Sequence, residues 1–168
     1  MVTSLSAPGD GSRSRARRPS VLERWAYGMR VAAVDLGKVR VGLAVSDELG
    51  MVAHPRPPLA GGQPRRVIAE LVRLASAEGI GRFLVGLPLD RQGEEGREAS
   101  RARRFAQSLA DAVGYEVELV DERLSTVEAA RRLREGGVSA RKGRKLVDGM
   151  AAAVLLQAWL DQRRKDGT

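Results

Sequence analysis

The run Arg30-Val-Ala-Ala-Val-Asp35-Leu-Gly37-Lys-Val-Arg40-Val-Gly42-Leu-Ala-Val-Ser-Asp47 constrains this chain more than any other. Arg30 to Val34 is almost wholly apolar and partly β-branched, so it reads as a strand buried on both faces. It ends in an acid, Asp35. A carboxylate at the tip of a buried central strand is costly unless a metal ion or a hydrogen-bond network compensates it. Gly37 marks a turn in which a positive φ is expected. A second strand then runs from about Arg40 to Ser46.

Downstream, Met51 to Ala53 reads as a third short strand. His54-Pro-Arg-Pro-Pro58 through Gly61-Gly62 is expected to break regular structure. Pro64 suits the first turn of a helix. Val67, Ile68, Leu71, Val72 and Leu74 recur at helical spacing and place it from about Gln63 to Ala77, with Gly79 stopping it. Arg82 to Leu87 is a buried strand, and Pro88 to Gly96 a loop. A helix from about Glu98 to Val113 presents Ala102, Phe105, Ala106 and Leu109 on one face, with Arg97, Arg101 and Arg104 on the other. Tyr115 to Val120 forms the last strand, ending at Asp121-Glu122-Arg123. Ser125-Thr-Val-Glu128 has the capping-box pattern and opens a helix to Glu135. The final helix, about Gly143 to Arg164, carries the apolar run Ala151 to Leu156, which should lie flat on the sheet, and holds Asp148 in its first turns. The order β-β-β-α-β-α-β-α-α joins antiparallel hairpins to right-handed βαβ crossovers. This is an α/β fold with a mixed sheet and helices on both faces.

The 168 residues suffice for one domain with a real core. Aromatics make up only 4%, so aliphatic residues and alanine must fill it. The absence of cysteine excludes disulfides and thiolate metal sites and fits a reducing cytoplasm. No apolar run reaches the ~18 residues of a membrane span. The net charge of +8 favours a polyanionic partner, nucleic acid before a membrane surface. Ser4 to Ser20 is rich in Ser, Pro, Gly and Arg, without the apolar centre of a signal peptide, and residues 1–28 read as a disordered basic extension. The folded domain is expected over 29–164, with 165–168 a tail.

Three acidic positions interrupt apolar structure: Asp35, the Asp121-Glu122 pair, and Asp148. Each alone has a plain explanation, as a turn residue, a solvated strand end or a helix surface residue. If the first and last strands run parallel, however, their ends share one sheet edge, and the final helix can bring Asp148 there. Carboxylates converging in this way repel one another, and a hard divalent cation removes that penalty. Oxygen ligands suit Mg²⁺ or Mn²⁺. Two such ions about 4 Å apart can activate water and stabilise the leaving oxygen in phosphodiester hydrolysis. Arg141, Lys142, Arg144 and Lys145 precede Asp148, and Lys38, Arg40 and Arg123 neighbour the other acids. All seven are candidate phosphate contacts.

Four blocks carry a family likeness: Val34-Asp-Leu-Gly37 with Arg40-Val-Gly-Leu-Ala-Val-Ser-Asp47; Val85-Gly-Leu-Pro88; Asp121-Glu-Arg-Leu-Ser-Thr-Val-Glu128; and Val147-Asp-Gly-Met-Ala-Ala152. In this order they resemble the YqgF (RuvX-like) family, over about Met29 to Leu160. The resemblance implies a ribonuclease H-like fold with a five-stranded sheet of order 3-2-1-4-5. It also implies a metal-dependent nuclease, named in the family both for maturing the 5′ end of the 16S ribosomal RNA precursor and as a Holliday junction resolvase. The implied metal ligands are Asp35, Glu122 and Asp148, with Asp121 as the alternative to Glu122. Three features depart from the family: the N-terminal extension, Asp90 where relatives often carry Asn, and Gly149 inside a helix. Asp90 is open as a further ligand, and Gly149 as a point of close approach for substrate or for a second helix.

Two other function classes compete. Asp35-Leu-Gly37 with its hairpin also resembles the first phosphate loop of actin-like ATPases, but those need two such domains and this chain is too short. A non-catalytic nucleic-acid-binding transcription regulator would need only the basic surface. A junction resolvase requires two symmetric sites and hence a homodimer; an RNA nuclease can act as a monomer.

Overall fold

The computed structural model describes residues 29–124 and 141–166, with the backbone alone for 124 and 141–148. Five strands form one sheet: β1 (Arg30–Leu36), β2 (Arg40–Ser46), β3 (Ala53–Ala60), β4 (Ile80–Leu87) and β5 (Val117–Asp121). Their order is β3-β2-β1-β4-β5. β2 runs antiparallel to β1 and β3, while β4 is parallel to β1 and β5 to β4. Helices α1 (Pro64–Glu78) and α2 (Arg97–Val113) make the two crossovers, and α3 (Arg141–Lys165) closes the fold. The expected ribonuclease H-like order and the mixed sheet are both present.

Strand alternation divides the core. Ala32, Val34 and Leu36 of β1 and Phe83, Val85 and Leu87 of β4 pack under α1 and α2. Val31, Ala33, Ala44 and Leu84 face α3, which meets them with Ala151, Ala152, Leu155 and Leu156. Alanine on both sides lets this helix lie close against the sheet. Each fully buried leucine there contributes about 1.5–3 kcal/mol. Gln157 then fastens α3 to the sheet's edge: its Oε1 accepts the Ala53 N–H at 2.9 Å, and its Nε2 donates to Met51 O at 3.1 Å.

The third strand departs from expectation. It runs through Pro55, Pro57 and Pro58 instead of stopping at Ala53. β3 is an edge strand, where a missing N–H costs no ladder partner, and its register shifts between Val41 and Leu43, the stretch facing the Pro57-Pro58 pair. Gly37 is also used differently, since its φ is not positive. It is needed for space: a Cβ there would lie 2.2 Å from Arg40 O across the hairpin turn. Gly79 and Gly114 end α1 and α2 in the left-handed conformation, at φ 67° and 76°. The last strand begins at Val117 instead of Tyr115, and α3 begins at Arg141. The expected N-terminal extension and the capping-box helix from Ser125 lie outside the described residues.

Candidate active site

β1, β4 and β5 are mutually parallel, so their C-terminal ends share one edge. Asp35 sits there, 2% exposed. Alternation from Val31 and Ala33 puts it on the α3 face. Its partner across the hairpin is Gly42. On its other side the ladder pairs Val34 with Val85, so the next residue along β4 is Gly86. Asp35 therefore stands between two strand residues that carry no side chain, and the sheet surface around it is open.

Glu122 uses that opening. It follows β5 in a single 3₁₀ turn (Glu122–Leu124) and is 5% exposed. A Cβ on Gly86 would lie 2.5 Å from Glu122 Oε1 and 3.2 Å from Leu155 Cδ1 of α3. The carboxylate thus lies over the bare backbone of β4, on the α3 face and one strand, about 4.8 Å, from β1. Alternation within β5 agrees: Glu118 bonds Trp159 of α3, and Val120 packs with the α3 cluster. Asp121 belongs to the opposite alternation. Its carboxylate accepts two-pronged hydrogen bonds from Arg123, which hold it below the usual carboxylate range. Of the two acids, Glu122 is the one brought to Asp35.

Asp148 lies in the second turn of α3, and its side chain is outside the described residues. Its backbone level follows from its neighbour. A Cβ on Gly149 would meet Arg56 O at 2.9 Å and Pro55 Cβ at 3.3 Å. Arg56 pairs with Leu43, and Leu43 with Val34, so α3 enters the sheet level with Asp35. Gly149 accordingly lets the helix close on an edge strand, rather than on substrate or on a second helix. Among the described residues no three His, Cys, Asp or Glu side chains form a metal-binding group.

The basic candidates are distributed unevenly. Lys38, at the hairpin tip, is 83% exposed and only loosely paired with Glu98 at 4.0 Å. Arg40 follows it at the start of β2. Arg123 is tied to Asp121, and its guanidinium lies over Gly93 of the β4–α2 loop. The side chains of Arg141, Lys142, Arg144 and Lys145 lie outside the described residues. Asp90 organises its own loop: its Oδ1 accepts the N–H groups of Gln92 and Glu94 at 2.9 and 2.8 Å. Sequence reasoning did not find the paired glycines beside Asp35. Gly42 and Gly86 were both visible as glycines, but the approach of Glu122 to Gly86 was not.

Three comparisons bear on this arrangement. Thermus thermophilus RuvC, solved in complex with a Holliday junction substrate, superposes with a TM-score of 0.51 at 20% identity, covering 82% of this chain and 96% of that one. RuvC of the same organism without that description gives 0.50 at 18%, covering 82% and 97%. These establish a shared fold. A protein of Anaeromyxobacter dehalogenans (strain 2CP-C) named "Putative pre-16S rRNA nuclease" is 48% identical over 135 residues, 80% of this chain and 98% of its own length. Relatives of the same name in Chloroflexus aurantiacus (strain ATCC 29366 / DSM 635 / J-10-fl) and Myxococcus xanthus (strain DK1622) are 40% and 41% identical, covering 81% and 83% of this chain and 89% and 93% of their own lengths. The sequence model of the family described as "RuvX: Holliday junction resolvase" matches residues 29–162, and the chain belongs to that family.

Proposed function

We propose that this protein is a divalent-metal-dependent nuclease that hydrolyses phosphodiester bonds, and that its substrate is the 5′ end of a 16S ribosomal RNA precursor. One observation carries the reading: two carboxylates, Asp35 and Glu122, are buried on one face at one sheet edge, with glycine backbone between and beside them. Burying two such groups side by side is unfavourable without a cation. The donor set is oxygen only, as Mg²⁺ and Mn²⁺ require, so these residues fit the ion. Asp35 and Glu122 would hold it, with Asp148 entering at the same level on α3. Bound there, the ion supplies water activation and neutralises charge building on the phosphate.

The chain's own residues do the rest. The β1–β2 hairpin fixes Asp35, because Gly37 allows the tight turn and Arg101 of α2 donates to Gly37 O at 3.0 Å. Gly86 admits the Glu122 carboxylate. Lys38 and Arg40, with the basic start of α3, would hold the phosphate backbone across this edge. Among the described residues no helix is long and apolar enough to cross a membrane, and an rRNA precursor would place the protein in the cytoplasm.

The family description and the RuvC-like fold favour one second reading, cleavage of a DNA junction by a homodimer. A side-by-side cleavage assay on precursor rRNA and on a four-way junction, with Mg²⁺ or Mn²⁺ and a solution mass measurement, separates the two. Asp35→Asn is expected to abolish cleavage while leaving binding and the fold in place. Full activity in that variant would remove the mechanism. Salt-dependent binding of both substrates without cleavage by the parent chain would leave a binding module.

A further inference from the structure

Leu36 follows Asp35 and faces the other way. On that side of β1, a cavity of about 220 Å³ opens between α1, α2 and the hairpin end. Its walls are apolar: Leu36, Val67, Ile68 and Phe105 contribute to them, and Arg101 and Arg104 also line it. The volume is that of about seven water molecules, the scale of a nucleobase with part of its sugar. Arg101 is braced by Glu98 at 3.5 Å and by its bond to Gly37 O. Arg104 is exposed, with no ion pair or hydrogen bond among the described residues. An apolar slot with one braced and one uncommitted guanidinium suits a flat apolar body carrying an anion. Guanidinium also stacks on aromatic faces and binds phosphate through two donors at once.

We propose that this cavity is a subsite for one unpaired nucleotide of the substrate strand, with its base between α1 and α2 and its phosphate on Arg101 and Arg104. The inference rests on the nuclease reading and extends it to substrate form. A strand lying over Asp35 needs only to round the hairpin tip at Lys38 and Val39 to reach the cavity, and Val39 projects there 79% exposed. A subsite of this kind makes the enzyme prefer a single-stranded flank beside the cut.

The chain provides its own reporter, because Ile68 and Ile80 are its only isoleucines. Ile68 lines the cavity, whereas Ile80 is 4% exposed in the core at the start of β4. The full chain, labelled at the isoleucine δ1 methyls and kept free of divalent metal, is titrated with a single-stranded RNA hexanucleotide, adenosine 5′-monophosphate or inorganic phosphate. The hexanucleotide is expected to shift the Ile68 signal and leave Ile80 in place, with phosphate moving neither. Arg104→Glu should weaken the response on the order of tenfold, as expected for losing a charged hydrogen bond, and an unmoved Ile80 signal reports that the variant is folded. Three outcomes overturn the proposal: hexanucleotide binding that leaves Ile68 still, an Ile68 shift with the mononucleotide but not the strand, or an Arg104→Glu titration matching the parent. Each would leave the cleavage assay untouched. Conversely, an Ile68 shift in a chain that cuts neither substrate would keep the subsite and remove the nuclease.

Discussion

Gly86→Ala tests the site through a residue with no functional group of its own. The new Cβ would lie 2.5 Å from Glu122 Oε1 and 3.3 Å from Glu122 Cδ. A carbon and an oxygen without a conventional hydrogen bond rest at about 3.3 Å or more, so the carboxylate must retreat by roughly 0.8 Å. Glu122 is attached by a flexible side chain and can swing away, so the fold should survive at a cost of about 1–3 kcal/mol for overpacking. Activity should suffer more. Displacing a catalytic group by about 1 Å can cost on the order of 10²-fold. The expected variant is folded, melts somewhat earlier, and cleaves about a hundred times more slowly with Mg²⁺ or Mn²⁺.

The same clash gives the control. In a Glu122→Ala background the 2.5 Å clash is gone, and Leu155 Cδ1 at 3.2 Å becomes the nearest neighbour of the new Cβ. Gly86→Ala should then add almost nothing to the loss already caused by Glu122→Ala, so the two changes are strongly non-additive. Cleavage rates and thermal melts of the parent, both single variants and the double variant complete the cycle. A Gly86→Ala enzyme with full activity, or equal losses in both backgrounds, would refute the claim that the glycine acts by seating Glu122.

Two further outcomes follow from the geometry. Gly149→Ala removes a helix-interior glycine, worth about 1 kcal/mol in propensity, yet its Cβ would meet backbone at Arg56 O, so α3 must lift from β3. The expected result in a urea melt is net destabilisation, and a more stable variant would show that the contact is slack. Asp47 accepts the N–H groups of Met51 and Val52 at 2.6 and 3.1 Å, and these bonds, that from Met51 foremost, hold its folded pKa below the ordinary value. A depressed carboxylate adds stability above its unfolded pKa of about 3.9 and loses it as pH falls through the folded value. Asp47→Ala should therefore melt below the parent at pH 7, with the gap closing toward pH 3; a gap independent of pH would contradict this.

Apolar periodicity was enough to place β1, β2, β4, α1 and α2, because each of these elements buries a face whose period is written in its own residues. β3 was misread for a different reason. Proline's missing donor is a local fact, but whether the donor is needed depends on having a neighbour strand, and edge position is a property of the whole sheet. The Asp121–Glu122 choice is of the same kind. All five residues of β5 are half-buried, so alternation within the strand names two faces without saying which one α3 covers. The Glu122 carboxylate over Gly86, the bond from Trp159 to Glu118 and the packing of Val120 fix that.

The glycines carry this argument furthest. A search for acids in the sequence finds Asp35, Glu122 and Asp148, and would find them equally in a protein where they never meet. Here Glu122 reaches the Asp35 side of the sheet because Gly86, next to Asp35 on β4, has no side chain on the α3 face, and Gly42 leaves the other flank of Asp35 bare as well. With alanine at Gly86 the same three acids and the same strand order would remain, but the Glu122 carboxylate would be pushed off β4. The acids supply the charge at this edge, and the glycine backbone beside them decides whether that charge converges.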